Sequence, residues 1–218
     1  MELYLSRAHF PVTTLGPGRR LGIWFQGCSI HCPGCISLDT WALGRGRIQL
    51  ALLLGAISKW IDEADGITIS GGEPFDQVDA LQLLLTELRA RTSADILVFT
   101  GYSLEDLPSL ARFDGVIDAL ITDPYRADLP QRLALRGSDN QRLHCLTPLG
   151  SQRFAQFERE REPSDDRLDV GVDEDGTVWM AGIPKRGDVE RLVESLRSLG
   201  HQAQGTFDVR VPDDRVRS

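Results

Sequence analysis

The chain has 218 residues, of which 41% are apolar, enough to bury the core of one domain. Its formal charge of −8 provides no global positive field for a nucleic-acid backbone, which turns the reading toward protein or small-molecule substrates. No apolar run reaches membrane-spanning length and MELYLSRAHF lacks the pattern of a secretion signal, so the expected compartment is the cytoplasm, where clustered cysteines more often bind metal than pair.

In chain order, LGIWFQ (21–26) reads as a strand leading into a cysteine-bearing loop, and IQLALLLGAISKWIDEA (48–64) as a largely buried helix. GITIS (66–70) is a short β-branched strand ending in Gly-Gly. FDQVDALQLLLTELRAR (75–91) has helical apolar spacing and DILVFT (95–100) is the next strand. A helix at 104–112 and a strand at 116–122 come next, the latter ending at Asp-Pro. Residues 124–142 read as loop-rich, and RLHCLT around Cys145 as a strand. RLDVGVDEDGTVWMAG is expected to form a hairpin turning at 173–176, and DVERLVESLRSLG (188–200) a helix stopped by glycine. Strands alternating with helices at this spacing predict an α/β domain over residues 1–212 with a parallel sheet, followed by a charged tail at 213–218.

Three of the four cysteines stand in GCSIHCPGC (27–35), as Cys28, Cys32 and Cys35. Gly27 and Gly34 let such a loop bend around a common centre. A [4Fe–4S] cluster is ordinarily held by four thiolates, so three local ones leave an iron open for chemistry. A closed zinc site completed by Cys145 or His144 is the competing reading, with His31 read as an exposed loop residue. At ISGGEPF (69–75), Gly71 and Gly72 end a strand and let a ligand approach the backbone, while Glu73 offers a carboxylate to a cationic amino group. Thr100 and Asp123 end the following strands at the same rim and are candidates for ribose or substrate contact. Local capping is the alternative for Thr100.

Taken together, CxxxCxxC and GGEP resemble the cluster loop and glycine turn of the radical S-adenosylmethionine (SAM) enzymes. GPGRRLGIWFQGC (16–28), TW (40–41), VFTGYSLEDL (98–107), IDALITDPYRADL (117–129), LRGSDNQRL (135–143) and GTVWMAGIPKRGD (176–188) extend the similarity to the anaerobic ribonucleotide reductase activating enzymes. The resemblance implies a shortened radical SAM partial (β/α)6 barrel with a C-terminal hairpin and helix. It implies that Cys28, Cys32 and Cys35 bind a [4Fe–4S] cluster whose fourth iron takes SAM. Gly34 and Ile36 then face the adenine, and Gly71, Gly72 and Glu73 the methionine end. It further implies a 5′-deoxyadenosyl radical that takes hydrogen from a glycine of a partner, a glycyl-radical enzyme. The interval from Cys35 to Gly71 contains no cysteine, so the electron is expected from an external donor such as flavodoxin or ferredoxin.

Two departures bear on the substrate. Asp123 stands where the reductase activators are expected to carry glycine, and CISLDTW lacks their asparagine-like residue after the third cysteine. Modification of a peptide, nucleoside or RNA, and a non-enzymatic metal-stapled or electron-carrying protein, are the alternative functions. Other side chains have open roles at this level. Arg136, Ser138, Asn140 and Gln141 either clamp SAM or order their own loop. Arg19 and Arg20 are expected to face solvent or a protein partner, and Trp24, Phe25 and Trp41 to shield the cysteine loop.

Overall fold

A computed structural model describes residues 1–107, 110–172 and 177–203. In chain order the elements are β1 (Glu2–Val12), β2 (Arg20–Phe25), β3 (Arg47–Gln49), α1 (Leu50–Glu63), β4 (Gly66–Gly71), α2 (Val78–Arg89), β5 (Asp95–Phe99), β6 (Ala119–Thr122), β7 (Arg142–Cys145), α3 (Pro148–Phe154), β8 (Leu168–Val172), β9 (Val178–Gly182) and α4 (Asp188–Ser198). Strands β2, β4, β5 and β6 run parallel at the centre of a seven-stranded sheet, ordered β3-β1-β2-β4-β5-β6-β7. Strands β1, β3 and β7 add antiparallel edges. The α/β class is as expected. The repeat count is smaller than the six βα units of the expected barrel, because antiparallel strands complete the sheet on both sides.

Helices α1 and α2 make the first two crossovers and cover one face. Their stripes, Leu50, Leu53, Leu54, Ile57 and Ile61, and Ala80, Leu81, Leu84, Leu85 and Leu88, recur at three- and four-residue intervals. They pack on the odd-numbered residues of β2, Leu21, Ile23 and Phe25, and on Ile67, Ile69, Ile96 and Val98. Helix α1 is more amphipathic than its sequence suggests, leaving Leu52 65% exposed. Among the described residues the third crossover carries a 3-10 turn at Leu110–Phe113, where a helix over 104–112 is expected.

The opposite face is covered by α3, whose Phe154 packs with Leu97, Ala119 and Ile121, and by the β8–β9 hairpin, whose Ala181 packs with Val12, Leu15 and Trp24. The hairpin pairs as expected, but its turn at 173–176 and the tail at 213–218 lie outside the described residues. At the N-terminal end of the parallel strands the expectation for Arg20 is overturned: it is fully buried. Its guanidinium pairs with Asp95 at 2.6 Å and donates to Thr68 and to the carbonyls of Ile67 and Pro17. Gly66 is glycine here because a Cβ would lie 2.1 Å from that guanidinium. Arg19 stays at the surface, 4.0 Å from Glu63.

Candidate functional site

Strand β2 delivers the chain to the cysteine loop at the C-terminal end of the parallel strands. The stem of the loop is held on two sides. The Gly27 N–H donates to the Thr40 carbonyl at 2.7 Å and the Cys28 N–H to the Trp41 carbonyl at 3.2 Å. Across from them, the Gly72 N–H donates to the Phe25 carbonyl at 2.9 Å and the Glu73 N–H to the Gly27 carbonyl at 2.8 Å. Gly27 (φ 96°), His31 (φ 51°) and Gly34 (φ 77°) adopt left-handed backbone, which turns the loop back on itself. Cys28 is buried, Cys32 and Cys35 half-buried. The Ser37 N–H donates to the Cys35 thiol at 3.4 Å. Burial still pushes the Cys28 thiol up to about 11, and raises Cys32 and Cys35 for the same reason.

The glycine turn is built against this stem. A Cβ on Gly71, at φ 107°, would lie 2.4 Å from the Phe25 backbone, and one on Gly72 would lie 2.0 Å from the Gly27 carbonyl oxygen. The two glycines therefore answer first to the neighbouring protein backbone. Glu73 is 1% exposed. Its carboxylate accepts the Phe75 N–H at 2.9 Å, the Thr100 hydroxyl at 2.8 Å and the Gly101 N–H at 2.8 Å, which ties the exit of β4 to that of β5. Burial pushes its pKa up to about 7 against the pull of these donors. The Thr100 hydroxyl also accepts the Tyr102 N–H at 3.1 Å, so local ordering accounts for both its donor and its acceptor.

At the exit of β6, Asp123 has φ 79°, a region that favours glycine. Its carboxylate accepts the Thr122 hydroxyl at 2.8 Å and Arg142 Nε at 2.7 Å. Arg142 also pairs with Glu105, whose pKa its hydrogen bonds pull down to about 2. The 124–141 segment lies over the cysteine loop, with Ala127 Cβ 3.1 Å from where a Cβ on Gly34 would stand. Its polar residues order the segment itself: Arg136 binds Glu158, Gln141 accepts the Gly137 and Ser138 N–H groups, and Asn140 donates to the Pro124 carbonyl. Ile36 is 44% exposed at the loop's outer edge. Three further residues at the mouth escape the sequence reading. The backbone N–H and hydroxyl of Ser29 donate to the Asp76 carboxylate at 2.7 and 2.8 Å, and the Tyr102 hydroxyl donates to it at 2.8 Å. The one local signal for them is the acid three residues after Glu73.

The donor set suits a cluster. Cys145 stands opposite Ala119, at the far end of β6 from the cysteine loop, and the His144 ring is engaged by Thr122 at 3.0 Å. Among the described residues no three His, Cys, Asp or Glu side chains converge to hold one ion. A zinc staple needs four ligands about 2.0–2.3 Å from a single ion, whereas the corner irons of a cube take separate thiolates. A cavity of about 200 Å³ beside Gly16, Pro17 and Arg161 lies at the opposite pole and contains none of these residues.

Fold and loop together define an α/β iron–sulfur protein with its cysteines at the C-terminal mouth of a parallel sheet. The chain belongs to the 4Fe-4S single cluster domain family, whose pattern matches residues 14–144. It is 31% identical over 137 residues to the anaerobic ribonucleoside-triphosphate reductase-activating protein of Enterobacteria phage T4, covering 61% of this chain and 87% of that one. Identity is 30% over 148 residues to the protein of the same description from Escherichia coli strain K12, covering 63% and 96%. With the pyruvate formate-lyase-activating enzyme of Listeria monocytogenes it is 39% over 153 residues, covering 64% and 61%. It is a radical SAM enzyme whose cofactors are a [4Fe–4S] cluster and SAM. The hairpin and α4 lie beyond the matched residues. No helix among the described residues is long and apolar enough to cross a membrane.

Proposed function

We propose that the chain activates a glycyl-radical enzyme, with Cys28, Cys32 and Cys35 holding the cluster and one iron left for SAM. The observation that carries this is the locked pair of turns: three thiols and no fourth ligand on a loop whose stem is hydrogen-bonded to Gly72 and Glu73. When bound, the two cofactors supply the one-electron cleavage of SAM and the hydrogen-atom abstraction that completes the reaction. The protein's part is placement. Gly71, Gly72 and Glu73 form the turn that meets the methionine end, while the Glu73 side chain fixes the spacing between the β4 and β5 exits. Gly34 and Ile36 flank the adenine. Thr100 and Asp123 shape the rim through Glu73 and Arg142. The activating-protein relatives support a protein substrate presenting a glycine loop. With no further cysteine near the loop, the electron comes from an external donor of the flavodoxin or ferredoxin class.

The test is anaerobic reconstitution with iron and sulfide, reduction, and addition of SAM with a partner that carries a C-terminal glycyl loop. The expected result is 5′-deoxyadenosine together with a glycyl doublet in the electron paramagnetic resonance (EPR) spectrum of the partner. Cleavage of SAM with no doublet on any such partner overturns the activase assignment, and failure to take up iron overturns the site.

A further inference from the structure

The cavity of about 200 Å³ at the pole opposite the cysteines is lined by a cation whose hydrogen-bonding capacity the protein leaves half used. Arg161 stands on its wall with only 8% of the side chain exposed. The residue is fixed at its backbone, where its N–H donates to the Arg132 carbonyl at 2.7 Å. One guanidinium nitrogen does all the bonding. Nη2 donates to the Ile183 carbonyl at 2.9 Å, to the Asp166 carboxylate at 3.1 Å and to the Asp165 carbonyl at 3.4 Å. Nε and Nη1 are buried and meet no acceptor. Burying charged donors in this way is costly, and the oxygens of an anion remove that cost.

The charges around the cavity are unbalanced in the same direction. Asp166, the acid that Arg161 reaches, is shared with Lys185 at 2.5 Å. Asp165, the carboxylate on the wall, is taken up by Arg159 at 2.7 Å. Asp169 is engaged by Thr13 and Thr14. Arg167, also on the wall, gives its Nε to the Ser164 carbonyl at 3.1 Å and pairs with no carboxylate among the described residues. We propose that this cavity binds a small dianionic oxyanion of the phosphate or sulfate class, with Arg161 Nε and Nη1 as its principal donors and Arg167 as the second cation. Two arginines match a doubly charged oxyanion. The space equals about six or seven waters at about 30 Å³ each, which holds such an ion with a few waters around it. The bound anion joins the turn at Gly16–Gly18 to the 161–167 segment, away from the cysteine loop.

The full chain is to be unfolded by heat in sodium phosphate, sulfate, acetate and chloride matched in ionic strength, with phosphate binding measured directly by titration calorimetry. The expected result is one phosphate per chain and a Tm that rises saturably with phosphate and sulfate, as mass action requires of a ligand of the native state, with no saturable rise in acetate. Excluded salts also stabilise, but without saturation, so the variants carry the decision. Arg161→Met is expected to lose both the saturable rise and the calorimetric signal. Should that variant not fold, Ser164→Glu decides: at an exposed position on the wall it sets a carboxylate against the anion, and it is expected to weaken phosphate binding at least about tenfold. Wild type without saturable phosphate binding overturns the proposal, and so does Ser164→Glu that binds as tightly as the wild type. Iron uptake is expected to be equal in these two proteins, so failure of the cluster site leaves this test intact.

Discussion

A methyl group added at Gly72 and one added at Gly55 meet opposite surroundings. At Gly72 it would lie 2.0 Å from the Gly27 carbonyl oxygen, in backbone that has no rotamer to escape into, whereas at Gly55, on the exposed side of α1, nothing lies within 4 Å. Gly72→Ala is therefore expected to destabilise the cluster-free chain by about 3 kcal/mol and to prevent iron uptake. Gly55→Ala is expected to stabilise it by about 1 kcal/mol, because alanine has less freedom to lose in a helix. Urea unfolding of both variants checks the pair. Glu73 gives a pH signature. Its folded pKa of about 7 stands above the ordinary carboxylate value of 4.5, so the fold favours the protonated acid. Its contribution is thus complete below about pH 4.5 and is lost as pH rises through about 7, a span worth on the order of 3 kcal/mol. Unfolding of wild type and Glu73→Gln at pH 5 and pH 8 is expected to show a steeper decline for the wild type, and parallel slopes contradict it. At this scale the sequence is eloquent where the requirement is local. Cysteine spacing and consecutive glycines are visible without the fold, whereas the burial of Arg20 is not, since Thr68 and Asp95, which receive its charge, lie 48 and 75 residues away.

Elements come together at the pole opposite the site through one carboxylate. Asp95, at the start of β5, accepts Arg20 of β2 at 2.6 Å and Arg153 of α3 at 2.9 Å, and both arginines also reach the Pro17 carbonyl, at 3.1 and 3.2 Å. This explains the Gly-Pro-Gly-Arg run as a turn clamped beneath the sheet rather than as a partner-binding segment. Asp95→Asn leaves two guanidinium groups sharing a neutral acceptor, and an uncompensated buried charge costs about 3–5 kcal/mol. The expected outcome is a large fall in urea midpoint with an unchanged EPR spectrum in whatever fraction folds and loads. Legibility in the sequence obeys the same logic for whole elements. Strands β2, β4 and β5 and helix α2 carry unbroken apolar patterns and read directly. Strand β1 does not, since Leu3 and Leu5 point inward only at its start and a register shift between Leu5 and Arg7 then turns Ala8 and Phe10 to that core and Arg7 and His9 to the opposite face, against Trp24. Helix α3 is seven residues long, but its start is signalled: Thr147 caps it, accepting the Gly150 N–H at 3.0 Å, and Pro148 occupies its first turn.

On the scale of the whole molecule, the residues that match the family end at 144, yet the described chain closes its second face with α3 and the β8–β9 hairpin, both beyond that point. Asp169 of β8 accepts the Thr13 N–H at 2.6 Å and the hydroxyls of Thr13 and Thr14 at 2.8 and 2.9 Å, and Trp179 of β9 stacks on His9 at 4.0 Å. These contacts hold the hairpin over Val12, Leu15 and Trp24, each no more than 6% exposed. None of the residues proposed to hold a cofactor lies in the hairpin or α4. Ending the chain after Asp166 therefore separates stability from site. Re-exposing three large apolar side chains at about 1.5–3 kcal/mol each amounts to roughly 5 kcal/mol, or about 10–20 °C in Tm for a chain of this size. The shortened chain is expected to melt earlier by that margin and to bind a hydrophobic dye. Below its melting temperature it still takes up iron through Cys28, Cys32 and Cys35. An unchanged Tm would mean that the hairpin contributes nothing to the central sheet. Loss of iron uptake from a chain that remains folded would place part of the site in the C-terminal segment, against the geometry of β1, β2 and the loop between β2 and β3.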